Sequence, residues 1–253
     1  AAGLKLGARP EELNITDPAL IEGIHGQYAA AGSRIVNANT FGASAHKLAG
    51  SAYTLEQVIT AGIENCKRAC APYGALTALD VGPLGELLEP SGTLAFEDAV
   101  AEYARIVKAG EAAGADLIFF ETYTDLYELK AALLAAKENT HLPILASMSF
   151  EAGGRTFTGC TVESFAATAR GLGADAVGIN CSLGPKEIFP MAKRLAEAVP
   201  GNFPVFVKPN AGLPRADGSG YDITPQLFAL QMKPYRELHL FAAGGCCGTT
   251  PEF

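Results

Sequence analysis

Two adjacent cysteines, Cys246 and Cys247, lie between glycines near the end of the chain. They follow an apolar run, residues 238–243, that predicts a buried strand. Glycines on both sides let the backbone turn tightly enough to aim both thiols in one direction. A third cysteine, Cys181, closes another apolar run at residues 176–180. Three thiolates that meet at strand ends would bind zinc and leave its fourth position open to water or substrate.

The spacing of these cysteines is not that of a zinc finger, so two other interpretations stay open. The three side chains could be ordinary buried thiols, or Cys246 and Cys247 could form a vicinal disulfide. The remaining cysteines indicate less chemistry. Cys66 and Cys70 are four residues apart on a predicted helix and are typical of core or surface thiols, and Cys160 only follows a glycine-rich loop.

The cysteines close strands in a repeating helix–strand pattern. A helix end, a glycine, a polar step and an apolar strand recur at residues 31–36, 113–118 and 172–177. Predicted strands end near residues 39, 80, 121, 149, 180, 208 and 244. Such alternation predicts a parallel sheet, and the absence of a glycine-rich dinucleotide turn favours a barrel over a doubly wound sheet.

We therefore predict an α/β fold of the (β/α)8 TIM-barrel type. A closed barrel of this class has eight strands, whereas the pattern supplies seven. The first strand and the last helix are expected to be missing. Because no linker or low-complexity segment divides the chain, residues 1–253 are expected to form a single barrel domain that is truncated at both ends.

Local signals predict where several helices begin. Asp17 followed by Pro18 is a cap and first-turn pair, and Thr54 with Gln57 has the spacing of a capping box. Thr124 is expected to cap the helix that follows the third strand.

Polar side chains gather at the predicted carboxyl ends of the strands, which is where barrels of this type carry their active sites. Loops are polar in any protein, so each residue alone is a weak signal. The group comprises Asn37, Asn39, Thr40, Asp80, Glu121, Ser149, Glu151, Asn180, Lys208 and Asn210.

Composition excludes several classes of function. The formal net charge of −8 argues against a nucleic-acid-binding surface, and no apolar run has the length of a membrane span. No export signal opens the chain, and its six cysteines suggest reduced thiols, so a cytoplasmic location is expected. Walker, HExxH and nucleophile-elbow motifs do not occur.

Several stretches resemble the homocysteine S-methyltransferase family, in order and over essentially the whole chain. They lie at residues 39–43, 154–159, 178–185, 209–214 and 244–249, and residues 10–14 look like the family's N-terminal segment. Residues 154–156 and 209–214 look most like the homocysteine-binding module of cobalamin-dependent methionine synthases. The betaine-dependent and S-methylmethionine-dependent branches are the near alternatives.

The resemblance implies a (β/α)8 barrel that holds Zn²⁺ through Cys181, Cys246 and Cys247, with the sulfur of homocysteine at the open position. A free thiol titrates near 8.5 and is mostly protonated at neutral pH, and zinc favours its thiolate. Methyl transfer to that sulfur gives methionine. Glu121 matches an acidic family position and is expected to bind the substrate ammonium group. Asn180, beside Cys181, has a structural or a substrate-binding role, and Asn39 is a further substrate-binding candidate.

The resemblance also bears on the methyl donor and partners. No cobalamin-binding or folate-binding module is present in the sequence, so methylcobalamin, charged from methyltetrahydrofolate, is expected to come from other modules or a partner protein. Two alternatives stay open: a betaine- or S-methylmethionine-dependent enzyme, and a barrel that binds thiols without catalysis. The family's first strand, which helps to hold the amino-acid end of homocysteine, is not found before Ala1.

Overall fold

The computed structural model describes residues 7–253, in which strands and helices alternate along the chain. The strands are β1 Ile35–Asn37, β2 Leu76–Val81, β3 Leu117–Tyr123, β4 Ile144–Met148, β5 Ala176–Asn180, β6 Val205–Lys208 and β7 Ala242–Ala243. The α-helices are α1 Leu13–Thr16, α2 Pro18–Ala30, α3 Leu55–Cys70, α4 Phe96–Ala112, α5 Leu126–Asn139, α6 Val162–Gly171, α7 Pro185–Ala198 and α8 Pro225–Met232. Short 3-10 segments lie at Pro10–Glu12, Ala71–Tyr73 and Lys233–Leu238.

The seven strands belong to one sheet and follow the order of the chain, β1 to β7. The pairs β1–β2, β2–β3, β4–β5, β5–β6 and β6–β7 are parallel. Parallel strands in sequence order, each joined to the next through a helical segment, have the arrangement of a TIM-type barrel. The predicted α/β class is confirmed, and the described residues contain seven strands of such a barrel sheet.

The chain divides into two compact units, and the first comprises residues 7–120 and 131–143 of the described part. Its core contains Ile59 and Ile63 of α3 and Leu79 of β2, all fully buried. The predicted helix starts are confirmed here. Asp17 accepts a hydrogen bond from the backbone N–H of Leu20, and Thr54 and Gln57 form a reciprocal capping box.

The second unit comprises residues 121–130 and 144–253. Its core includes the buried rings of Phe150 and Phe165, whose centroids are 6.2 Å apart. Gly178 in β5 faces Phe206 of β6 so closely that an added Cβ would lie 2.3 Å from the Phe206 ring. This glycine therefore lets an aromatic ring lie directly against the strand. That residues 1–253 form one domain stays a prediction.

Two predicted boundaries are wrong. The last strand is extended only at Ala242–Ala243, because Leu238 still belongs to a 3-10 helix and His239 has a left-handed backbone with φ of 49°. The helix after β3 begins at Leu126, and Asp125 rather than Thr124 stands before it. The Asp125 carboxylate accepts a hydrogen bond from the Tyr127 N–H at 2.9 Å, which satisfies a first-turn donor. Within residues 7–253, no helix combines the length and apolar character required to cross a membrane.

Candidate metal centre

Three cysteines of the second unit meet at the carboxyl ends of its strands. Cys181 directly follows β5, and Cys246 and Cys247 follow β7. Their sulfur atoms all lie within 4.8 Å of one another, and the Sγ atoms of Cys181 and Cys247 are 3.5 Å apart. All three are free thiols, so no vicinal disulfide joins Cys246 to Cys247. The structure thus brings together the three residues that the sequence proposed as a metal site.

The backbone around Cys181 departs from ordinary geometry. Cys181 has a φ of 63° and Ser182 a φ of 62°, in the left-handed region that residues other than glycine rarely adopt. The turn is held by a hydrogen bond from the Cys181 N–H to the Lys208 carbonyl at 3.1 Å and by one from the Leu183 N–H to the Cys181 carbonyl at 2.8 Å. Strain that surrounding structure maintains in this way is typical of a functional site.

The loop that carries the adjacent cysteines is fixed by the two residues that follow β6 and by a glycine. The Cys246 N–H donates to the Pro209 carbonyl at 2.8 Å, and the Cys247 N–H donates to the Asn210 Oδ1 atom at 3.0 Å. Gly248 has a φ of 80°, and an added Cβ there would lie 2.2 Å from the Tyr221 ring. The glycine after the cysteines therefore permits both the left-handed turn and the packing of Tyr221 against it.

Asn180 locks the end of β5 beside the sulfur cluster. Its fully buried side chain accepts hydrogen bonds at Oδ1 from the Thr122 N–H at 3.0 Å and the Ser147 hydroxyl at 2.9 Å. Its Nδ2 atom donates to the Thr122 hydroxyl at 2.7 Å and lies 3.7 Å from the Cys246 sulfur. These contacts favour the structural role over the substrate-binding role, because the amide is already engaged with protein groups.

Glu121 pairs with Lys208, the last residue of β6. The Lys208 Nζ atom donates to the Glu121 Oε2 atom at 2.5 Å, and the two side chains are only 20% and 11% exposed. The sequence places Lys208 at a strand end among other polar residues and predicts no role for it. The only indication along the chain is that this lysine closes an apolar run at residues 204–207.

Asn39 belongs to the first unit, where its amide group holds the N-terminal segment. Its Nδ2 atom donates to the Pro10 carbonyl at 2.8 Å and to the Asn14 Oδ1 atom at 2.9 Å. Its backbone carbonyl accepts a hydrogen bond from the Asn14 Nδ2 atom at 2.8 Å. The described contacts of Asn39 are thus structural, and its part in substrate binding stays a prediction.

The donor set has the chemistry that a soft divalent cation requires. The hydrogen bond with Cys181 raises the pKa of Cys246 to about 12, Cys247 opposes that rise, and burial and the Glu121 carboxylate add to it. Three close thiols in these surroundings do not ionise together unless a cation balances their charge. The sulfurs of Cys181, Cys246 and Cys247 therefore fit a thiolate-bound metal ion and leave room in its coordination for a further ligand.

Comparison with known proteins decides the family. A sequence model described as homocysteine S-methyltransferase matches residues 4–253. The chain belongs to the homocysteine S-methyltransferase family. The family resemblance predicted from the sequence motifs is thereby confirmed.

The chain matches a small part of two long curated relatives and most of a shorter protein of known structure. The methionine synthases of Mycobacterium tuberculosis and Mycobacterium leprae are each 32% identical to the chain, in alignments of 258 and 261 positions that cover 95% and 96% of it. The chain spans 21% of the length of each of these curated relatives. The oxidised form of the homocysteine methyltransferase MmuM from Escherichia coli covers 98% of the chain, with a TM-score of 0.83 and 21% identity over 87% of its own chain. Its metallated form has a TM-score of 0.79 and 23% identity, and covers 98% of this chain and 88% of its own. At these identities the likeness to the solved structures shows the fold.

Proposed function

We propose that the protein transfers a methyl group to the thiolate sulfur of homocysteine, giving methionine, with Zn²⁺ held by Cys181, Cys246 and Cys247. The observation that carries this proposal is the convergence of three sulfurs within 4.8 Å of one another in a chain of this family. Zinc, when bound, would favour the ionised form of the substrate thiol and keep its sulfur nucleophilic at neutral pH.

Two residues would help to position the substrate thiol, one through the cysteines and one through the ammonium group. Asn180 fixes the strand end that carries Cys181 and directs its Nδ2 atom toward Cys246. Glu121 presents a mostly buried carboxylate next to the cluster and would bind the substrate ammonium group. Burial of Glu121 strengthens such a pairing, since water screens it less than at the surface. Asn39 stays a candidate for the substrate side of the site.

For the methyl donor we propose methylcobalamin, charged from methyltetrahydrofolate on cobalamin- and folate-binding modules or partner proteins. The likeness of residues 154–156 and 209–214 to the cobalamin-dependent branch supports this donor, and the relatives named methionine synthase support the product. S-methylmethionine and betaine are the alternatives that the same family offers. Three free thiols also favour a reducing, cytoplasmic location.

Zinc content tests the metal site first. The protein purified under reducing conditions is expected to hold about one zinc ion per chain. Cys246→Ser should lose it, whereas Cys160→Ser, which changes a half-buried cysteine outside the cluster, should keep it. Equal zinc content in both variants would contradict the assignment of Cys246.

Substrate and donor require separate measurements. Calorimetry in buffers of different ionisation enthalpy should show that homocysteine binds the zinc-loaded protein with release of a proton. Methionine formation is then measured with methylcobalamin, S-methylmethionine and betaine as donors. Turnover with methylcobalamin is expected, and turnover with betaine alone would overturn the donor assignment. Thiol binding without turnover from any donor would instead indicate a non-catalytic barrel.

A further inference from the structure

The proposed function assigns the substrate ammonium group to Glu121 and assigns no part of the substrate to Lys208, its ion-pair partner. The two side chains form an ion pair at 2.5 Å and are 11% and 20% exposed, so the pair is largely shielded from water. Shielded charges are costly when they lack an opposite partner. A ligand that separated the pair would therefore have to supply a new partner for each residue.

The pair lies beside the sulfur cluster. The carbonyl of Lys208 accepts the hydrogen bond of the Cys181 N–H at 3.1 Å, which ties the lysine to the turn that carries that cysteine. Gly244, two residues before Cys246, passes the Lys208 side chain so closely that an added Cβ would lie 3.3 Å from its Cγ atom. The negative charge of Glu121 also acts on Cys246. A thiol compound whose sulfur joins the cluster would carry its other end to these two charges.

We infer that Lys208 binds the carboxylate of the substrate while Glu121 binds its ammonium group. The inference rests on the proposed function and names the feature that selects an amino-acid thiol. Each residue exchanges its present partner for the opposite charge of a zwitterion, so both charges stay paired and the amino-acid end of the substrate adds no net charge to the pair. A thiol with a single charged group would pair with one residue and leave the other unpaired.

Three thiols that differ only in their charged groups test the inference: homocysteine, 4-mercaptobutanoate, which lacks the amine, and 3-aminopropane-1-thiol, which lacks the carboxylate. Their dissociation constants are measured by calorimetry on the zinc-loaded protein under reducing conditions. The wild-type protein is expected to bind homocysteine at least about tenfold more tightly than either analogue, since each analogue loses one charge-assisted contact.

The two single variants should each weaken the binding of a different analogue. Lys208→Met should weaken homocysteine and 4-mercaptobutanoate by about tenfold or more and leave the aminothiol unchanged or bound more tightly. Glu121→Gln should weaken homocysteine and the aminothiol by about as much and spare 4-mercaptobutanoate. The double variant, which buries no unpaired charge, should bind all three thiols with similar affinity. Zinc content and thermal midpoint are measured for every variant as a check on folding.

The outcomes separate this inference from the function on which it rests. If Lys208 only holds Glu121 in place, Lys208→Met will weaken homocysteine and the aminothiol in parallel. That pattern, or an unchanged affinity of the folded variant for homocysteine, would overturn the inference and leave the proposed function standing. A zinc-loaded wild-type protein that binds none of the three thiols would overturn both.

Discussion

The side-chain amide of Asn180 forms hydrogen bonds with Thr122 through both its oxygen and its nitrogen atom. Oδ1 accepts the Thr122 N–H at 3.0 Å, and Nδ2 donates to the Thr122 hydroxyl at 2.7 Å. Thr122 has a left-handed backbone with φ of 67°, and it directly follows Glu121 in β3. One buried amide therefore fixes the left-handed backbone of Thr122, next to Glu121, and anchors the end of β5 directly before Cys181.

Asn180→Asp is expected to lower zinc affinity by about tenfold to a hundredfold, the usual effect of losing a group that orients metal ligands. The substitution keeps the shape of the side chain, removes the Nδ2 donor and places a negative charge beside Cys246. Competition with a chromophoric chelator measures the affinity. Asn202→Asp, which adds the same charge at an exposed position, should behave as wild type. Equal affinities in the two variants would contradict an orienting role for Asn180.

The sequence predicts the position of the cysteines and the direction of the strands because both follow from local patterns. Apolar runs that end in Cys181 or lead into Cys246 place the thiols at strand ends, and the capping box at Thr54 marks the start of α3. The length of β7 is overestimated because an apolar run does not reveal the left-handed turn at His239.

The Glu121–Lys208 pair could not be predicted in this way. The two residues are 87 positions apart, and their pairing depends on the order and register of the strands from β3 to β6 and on side-chain directions across the sheet. No pattern along the chain encodes that distance. The amide network of Asn180 is hidden for the same reason, since Thr122, Ser147 and Cys246 reach it from three separate segments.

Stability is expected to fall in mild acid because of His25. This side chain is 6% exposed, its Nε2 atom has no hydrogen-bond partner among the described residues, and burial lowers its pKa from 6.5 to about 4. Between these values the unfolded chain binds a proton that the folded chain does not, so the free energy of unfolding falls as pH falls from about 6.5 to about 4.

Urea denaturation measures the effect. The contribution of His25 should reduce the free energy of unfolding by about 2 kcal/mol between roughly pH 7.5 and pH 5. In His25→Gln that part of the pH dependence should disappear, whereas His141→Gln, at an exposed position, should retain the wild-type profile. Identical profiles for wild type and His25→Gln would show that this histidine does not titrate as its burial implies.

Gly178→Ala is expected to destabilise the second unit by about 1–3 kcal/mol, the usual effect of overpacking a dense core. The added methyl group would lie 2.3 Å from the Phe206 ring, so the ring or the strand must move. Gly23→Ala is the matched control, because that helical glycine has nothing within 4 Å of the new methyl group. It should stabilise α2 by about 0.5–1 kcal/mol. A neutral result at Gly178 in chemical denaturation would argue against the close ring contact.

Gly248→Ala is expected to weaken zinc binding as well as folding. Gly248 and Gly218 both have a left-handed backbone, with φ of 80° and 71°, so alanine at either position meets the same backbone penalty, about 1 kcal/mol. Only at Gly248 does the new methyl group also meet a neighbour, the Tyr221 ring at 2.2 Å. Relief of that clash must displace the ring or the turn that holds Cys247.

The comparison of the two alanine variants isolates the effect of that contact. Gly218→Ala should lose about 1 kcal/mol of stability and keep zinc affinity at the wild-type value. Gly248→Ala should lose more stability and bind zinc at least about tenfold more weakly, because the adjacent Cys247, a proposed ligand, moves. If both variants retain wild-type zinc affinity, the packing of Tyr221 against Gly248 does not position Cys247. If the double variant Gly248→Ala/Tyr221→Ala, which lacks the ring, regains the wild-type zinc affinity, the clash itself is the cause.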